Sequence, residues 1–195
     1  MYIEEEIERM TGFPLITKTD YIPEHLTLFG TKHHYYNNKT LHFYTDDFRF
    51  NRLWDNPRKY NKIIKRYKAV ITPDFSVYQD MPTPLKIYNT YKNRWLGHYW
   101  QSLGVTVIPS VNWCDLNSFT YCFQGIEEGS VISITCNTVR KTDVSFYYFI
   151  DGIKEILSYL KPCKIIVFGT RLRENLLRLD EDKFVFFPYK LSYYI

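Results

Sequence analysis

From Thr40 onward the chain alternates short, continuously apolar runs with longer segments whose apolar residues recur every three or four positions. The short runs are LHFY, KAVIT, VTVIPSV, SVISITC, CKIIVFG and KFVFFPY. Continuous apolarity over so few residues predicts strands covered on both faces. The longer segments predict helices. In NPRKYNKIIKRYK, Asn56 offers an N-cap and Pro57 a first helical residue, and Tyr60, Ile63, Ile64 and Tyr67 share one face. In PLKIYNTYKNRWLGHYWQSLG, Tyr88, Tyr91, Trp95 and Tyr99 stand at helical spacing and Gly104 is the stop. Residues 118–125 predict a short helix or turn. TDVSFYYFIDGIKEILSYLKP carries a stripe of Phe146, Phe149, Ile150, Ile153, Leu157 and Leu160, with Asp143 set near its first turn, where the helix dipole favours negative charge. TRLRENLLRL predicts a last, short helix.

Strand and helix in strict alternation predict an α/β domain built on a mostly parallel sheet of five or six strands with helices on both faces. A doubly wound open sheet is the first expectation, and a partial or distorted βα-barrel the second. Residues 1–40 lack this regularity. EEEIERM fits one or two helical turns, GFPLITKTDYIPEH reads as extended chain with two prolines, and TKHHYYNNKT is a polar loop. The expected organisation is an N-terminal arm over 1–40 packed on a single α/β domain over 41–195.

Composition narrows the class of protein. With 195 residues the chain is long enough to bury a core without disulfides or metals. Cys114, Cys122, Cys136 and Cys163 form no CxxC pair and no zinc spacing, which predicts reduced thiols in a cytoplasmic protein. The acidic start MYIEEEIERM is unlike a signal peptide, and no apolar run approaches the roughly 20 residues that span a membrane. The net charge of +4 is mildly basic, and the sequence pI of 8.7 falls below the value above 9 that marks a strong nucleic-acid footprint. Aromatic residues make up 18% of the chain, which suits large interfaces or base stacking and equally suits AT-rich coding.

Ligands of parallel α/β folds bind outside the carboxyl ends of the strands, so the residues that follow each run are the candidates for chemistry. They include Asp46, Asp47 and Arg49; Asp74, Ser76 and Asp80; Ser110, Asn112, Trp113 and Asp115; Asn137 and Thr138; and Arg171 with Arg173. Asp47, Asp74 and Ser76 are the candidate catalytic residues. Asp46, Arg49, Arg94, Asn112, Trp113, Asn137 and Arg171 are the candidate binding residues. Each also has a plain structural role: the aspartates as turn caps, Asn112–Trp113 as loop and packing residues, and Arg94 as a snorkelling helix residue. Asp47 with Asp74 could hold a divalent ion through water-rich coordination, while two-metal chemistry needs more carboxylates than converge here. His33–His34 reads as a solvated loop pair ahead of a metal site. No P-loop, dinucleotide fingerprint or nucleophile elbow is present.

One further cluster is basic. Arg58, Lys59, Lys62, Lys65, Arg66 and Lys68 fall within one helix and its exit, interleaved with Tyr60 and Tyr67. A solvated face is the default reading, and contact with a phosphate backbone the alternative.

Four segments together resemble a known family. LHFYTDDFRFNRLWDNPRKY, VITPDFSVYQDMPTP, IYNTYKNRWLGHYWQSLGVTVIPSVNW and SFTYCFQGIEEGSVISITCN resemble, in order, the family of domain of unknown function four-four-one-seven. Its members look like products of phages, plasmids and integrative elements. The shared pattern includes Asp46–Asp47 with Arg49–Phe50, Pro73 to Ser76, Arg94–Trp95, and Pro109 with Trp113. The resemblance implies a mobile-element protein, and it implies no activity. The expected function is therefore nucleotide- or nucleic-acid-related, acting from a polar site at the strand ends. A host-factor or anti-defence binding protein without catalysis is the alternative. Neither a reaction nor a cofactor is assigned, beyond the divalent metal the carboxylate pair could accept.

Overall fold

The computed structural model describes residues 12–31, 37–137, 139 and 144–189. His33–His34, Thr138, Asp143 and the EEEIERM segment lie outside these. Among the described residues seven strands and six helices follow in the order β1 (Leu26–Leu28), β2 (Thr40–His42), α1 (Arg52–Asp55), α2 (Pro57–Ile64), β3 (Ala69–Ile71), α3 (Thr83–Ser102), β4 (Val107–Ile108), α4 (Phe119–Cys122), β5 (Ile132–Thr135), α5 (Val144–Tyr159), β6 (Ile165–Phe168), α6 (Arg173–Leu177) and β7 (Phe184–Phe187). Short 3-10 turns at Asp47–Arg49 and Leu116–Ser118 precede α1 and α4. The six expected strands are present, each only two to four residues long. β1 is additional. It lies in the N-terminal arm of residues 1–40, just past the segment read as extended chain and between Pro23 and Gly30.

The α/β class and the parallel pairing are as expected. The strand order is sequential: β1-β2-β3-β4 in one sheet and β5-β6-β7 in another, every pair parallel. A parallel bridge between Ser110 and Ser133 joins the two sheets at β4 and β5. Sequential parallel order is that of an incomplete βα-barrel, and the sheet does not close, since β1 and β7 each have one neighbour among the described strands.

Residue parity along the strands shows how the sheet curves. Leu41, Val70 and Val107 stand side by side in register and meet Ile64 of α2 and Leu96, Tyr99 and Trp100 of α3. Ile132, Ile134, Ile165, Val167 and Phe184 meet Phe149, Ile153 and Ile156 of α5 and Leu176 of α6. Alternate residues point to the opposite face. There Ile71, Ile108, Ile166 and Phe168 gather with Tyr44 and Val131, and among the described residues no helical residue joins them. Each fully buried aliphatic side chain contributes about 1.5–3 kcal/mol relative to exposure. The helices thus cover the convex surface, and the concave surface folds on itself. Tyr44, just beyond β2, stacks on Phe168 of β6 with centroids 5.1 Å apart, and His42 meets the same ring at 4.6 Å.

Local chemistry sets the helix ends. The Asn56 side chain accepts from Lys59 N at 3.3 Å with Pro57 next in line, so α2 starts where predicted. Pro82 and Pro84 open α3, and Gly104 (φ +79) follows its end in the left-handed region that a side chain would resist. Residues of the N-terminal segment dock on α3: Ile16 lies over Gly97, where a Cβ would approach its Cδ1 to 2.4 Å, and Leu15 O is 2.7 Å from His98 Nδ1.

Candidate functional site

The strands all run one way, so their carboxyl ends share one rim. At its centre the chain leaving β3 turns at Pro73 and presents Asp74, Phe75 and Ser76. Phe75 is buried against Phe50, with ring centroids 5.2 Å apart, which anchors the loop between its two polar neighbours. The loop is also tied from behind. Asn93 of α3 donates to Pro73 O at 2.7 Å, Asn89 to Ser76 O at 2.6 Å, and Asn112 to Phe75 O at 2.7 Å.

Asp47, from the turn after β2, accepts two bonds from one residue: Ser76 N reaches Oδ2 at 3.1 Å and Ser76 Oγ reaches Oδ1 at 2.9 Å. This two-point contact fixes the Asp47 carboxylate beside Asp74. Asp74 keeps some exposed surface at the residue level, but its carboxyl lies inside the rim. Burial, and then the Asp47 charge, push the Asp74 carboxyl up to about 7, and a hydrogen bond with Ser110 works the other way. Tyr44 faces the same group. Burial, and then the Asp74 charge, raise its phenol well above the ordinary value, and its hydroxyl lies 2.6 Å from Ser133 Oγ. The centre therefore holds one carboxylate fixed by hydrogen bonds, one carboxyl titrating near neutrality, and the hydroxyls of Ser76, Ser110 and Tyr44.

Arg94 supports this centre from below. It is only 2% exposed. Nε donates to Gln124 O at 2.8 Å, Nη2 to Cys122 O at 2.5 Å, and Nη1 to Asn93 Oδ1 at 2.5 Å and Ser110 O at 3.2 Å. Burial brings its guanidinium down to about 10. Asn93 also donates to Ser110 Oγ at 3.1 Å. A chain of hydrogen bonds thus runs Arg94, Asn93, Ser110, Asp74. The fork is spent on protein oxygens, so Arg94 positions the centre and its donors do not face the rim.

The other candidates are spread around the rim. Trp113 stacks on Phe149 at 5.4 Å and donates from Nε1 to Tyr148 O at 2.8 Å, a packing role against α5. Asp46 and Arg49 form an exposed ion pair at 3.8 Å, and Arg49 also lies over the Phe48 ring at 5.4 Å. Asn137 sits against Gly169, where a Cβ would come within 2.2 Å of its Oδ1. Arg171 reaches Val139 O at 3.4 Å. Arg58, Lys62, Lys65 and Arg66 are exposed on and just after α2. Among the described residues no group of three or more His, Cys, Asp or Glu is placed to hold a metal ion. The Asp47–Asp74 pair stands as two carboxylates without a third.

Three contributors escaped the sequence reading. Tyr44 closed a run read simply as core. Its parity with Thr40 and His42, both buried polar residues, was the signal for the concave face. Asn93 gave no signal beside Arg94. Lys92 is 9% exposed, with its ammonium 3.9 Å from the Phe75 ring centre. Burial holds Lys92 below its ordinary value, while the Asp47 and Asp55 charges pull it back up.

A family match to Domain of unknown function (DUF4417) spans residues 5–189. The chain belongs to this family. It is similar to the Gene 1 protein of Mycobacterium phage L5, 34% identical over 160 residues, covering 80% of this chain and 70% of that protein. It is also similar to the Gene 1 protein of Mycobacterium phage D29, 35% identical over 164 residues, covering 82% of this chain and 60% of that one. The chain thus spans less than two thirds of the second relative's length. No solved structure matches it. The DUF4417 resemblance read from the motifs is borne out, as is the phage association of the family. Among the described residues no helix is long and apolar enough to cross a membrane.

Proposed function

We propose that the carboxyl rim binds a nucleobase-bearing ligand and that Asp74 exchanges a proton with it. One arrangement carries the reading: Ser76 holds the Asp47 carboxylate with two hydrogen bonds beside the buried Asp74 carboxyl, which burial and the Asp47 charge push up to about 7. A carboxyl poised there donates or accepts at working pH, which is what general acid–base work needs. The edge of a base alternates donors and acceptors, so a carboxylate and a carboxyl side by side match it in both senses. Asp47 and Asp74 would face the base edge, with Ser76 and Tyr44 beside them. Tyr78 is 59% exposed with its hydroxyl 3.0 Å from Ser76 Oγ, which gives a flat face for stacking. The protein would act in the cytoplasm of a bacterial host. Calorimetric titration with the common nucleosides tests the reading. Binding that is lost in Asp74→Asn and Asp47→Asn, with the fold retained, is expected; full binding by both variants would overturn it.

A second reading, a host protein held without catalysis, is favoured by the apolar residues the rim exposes. Phe48 is 73% exposed, and Tyr78 and Leu116 are exposed in the two loops that follow. A stoichiometric host partner released by Phe48→Ser, with nucleoside binding absent, would select it.

A further inference from the structure

The strongest feature outside the rim is the outward face of α2. Arg58, Lys59, Lys62, Lys65, Arg66 and Lys68 are all exposed. No acidic residue occurs between Asp55 and Asp74. The six cations compare with a net charge of +4 for the whole chain, so the remainder is net −2. The charge of the molecule is segregated onto this element.

Two details set the face apart from an ordinary solvated helix. The first turn of α2 holds Arg58 and Lys59 and no acid, although a helix N-terminus disfavours positive charge. Elsewhere four lysines sit against carboxylates, Lys18 on Glu127, Lys86 on Asp115, Lys154 on Asp151 and Lys161 on Glu128, and Lys164 and Lys183 donate to backbone carbonyls. Lys59, Lys62, Lys65 and Lys68 make no ion pair among the described residues. The apolar side of the element is anchored, since Ile64 and Tyr67 lie in the core with Tyr60 and Ile63 packed beside them. The basic residues are therefore held on a rigid support. At about 1.5 Å per residue the row from Arg58 to Lys65 runs roughly 10 Å, which spans about three phosphates of one strand at the spacing of a duplex.

We infer that this face binds the phosphodiester backbone of a nucleic acid, so that the ligand of the protein is a polynucleotide. The inference extends the reading of the rim and rests on it only for the identity of the base-bearing ligand. The contact is independent of sequence, because phosphate contacts position a strand without reading it. A continuous array of anions relieves the repulsion along the helix and its unfavourable dipole together.

The test is fluorescence anisotropy with labelled 20-nucleotide duplex DNA, single-stranded DNA and single-stranded RNA, from 25 to 200 mM NaCl, on the full chain. The wild type should bind at least one polymer, with log affinity falling linearly in log salt. Lys62→Gln/Lys65→Gln should weaken binding at 50 mM salt at least tenfold. It should also flatten the salt slope by about 1.8 for a duplex, or about 1.4 for a single strand, two contacts being removed. Both residues are exposed, so circular dichroism should be unchanged. The three arms identify the polymer. No binding to any polymer at 25 mM salt, or a variant with unchanged affinity and slope, overturns the inference. Nucleoside binding at the rim separates the two proposals: the α2 variant should leave it intact, and Asp47→Asn should abolish it while keeping the salt slope.

Discussion

Asp74 and His42 lie in the same concave region and move stability with pH in opposite directions. Asp74 keeps its proton in the fold up to about pH 7 but loses it near 3.8 when unfolded. Between those values the native state binds more protons, so stability falls as pH rises. Burial lowers His42 from 6.5 to about 3. Between those values the unfolded state binds more protons, so stability rises with pH. The two slopes offset one another from about pH 4 to 6.5. Asp74→Asn removes one of them. That variant is expected to be more stable than wild type at pH 8 by on the order of 2 kcal/mol, less than the full linkage value because the residue is partly solvated. It is also expected to lose stability on acidification from pH 6.5 to 4.5, where wild type changes little. Urea unfolding at four pH values measures both, and a variant no more stable than wild type at pH 8 would mean that Asp74 is not held against its charge. Asp47→Asn tests the cause directly. With the neighbouring charge gone, Asp74 should titrate at lower pH, as read by carboxyl carbon chemical shifts. An unmoved titration would leave burial as the sole cause. The carboxylates themselves were legible, because each follows a strand in a parallel fold. Their unequal ionisation was not, because it depends on Ser76 pinning Asp47 and on the rim closing over Asp74, which are contacts between loops 29 residues apart.

The elements were legible where apolar periodicity was strong and blurred where a single contact decides. α3 and α5 follow from their stripes. β1 does not, because three residues between a proline and a glycine carry too little pattern, and only pairing with β2 makes them a strand. Arg94 shows the limit most clearly. An arginine in the middle of a helix reads as exposed or snorkelling, yet here it joins α3 to Ser110 after β4 and to Cys122 and Gln124 at the end of α4 through three backbone carbonyls. Lysine has one nitrogen and cannot span them. Arg94→Lys should therefore cost about 2–4 kcal/mol by leaving buried carbonyls unpaired. It should also weaken nucleoside binding through Ser110. A chemical-denaturation midpoint equal to wild type would show the clamp to be dispensable. Gly152 makes a similar point for α5. A glycine in mid-helix costs about 1 kcal/mol against alanine, but a Cβ there would fall 2.1 Å from Trp113 Nε1. Gly152→Ala should thus destabilise by about 1–3 kcal/mol through overpacking, opposite to what propensity alone predicts.

For the whole molecule the decisive fact is strand order, and order is a property of pairing that patterning does not encode. The same alternation of strand and helix serves a doubly wound sheet or a partial barrel. What selects the curved, sequential arrangement is the composition of the concave face. Beside its aliphatic residues it carries Ser133, His42 and Tyr44, and the Tyr44–Ser133 hydrogen bond and the His42–Phe168 ring contact form only if the sheet bends until β2 faces β5 and β6. The two sheets meet at one bridge, where Val111 N donates to Ser133 O at 2.8 Å and Ser133 N to Pro109 O at 2.9 Å. The Tyr44 hydroxyl reaches across to Ser133 at that seam, and Ser133 Oγ also donates to Ile166 O at 3.2 Å. Tyr44→Phe deletes the crossing contact while keeping the ring that stacks on Phe168. The net loss should be about 1 kcal/mol in global stability, since Ser133 retains its second partner. The local effect should be larger. If the seam depends on Tyr44, hydrogen exchange at the Val111 and Ser133 amides should quicken more than exchange at Val70 within the first sheet, which follows global unfolding. Uniform acceleration at all three amides would mean that the two sheets open as one unit and that the bridge, not Tyr44, holds the seam.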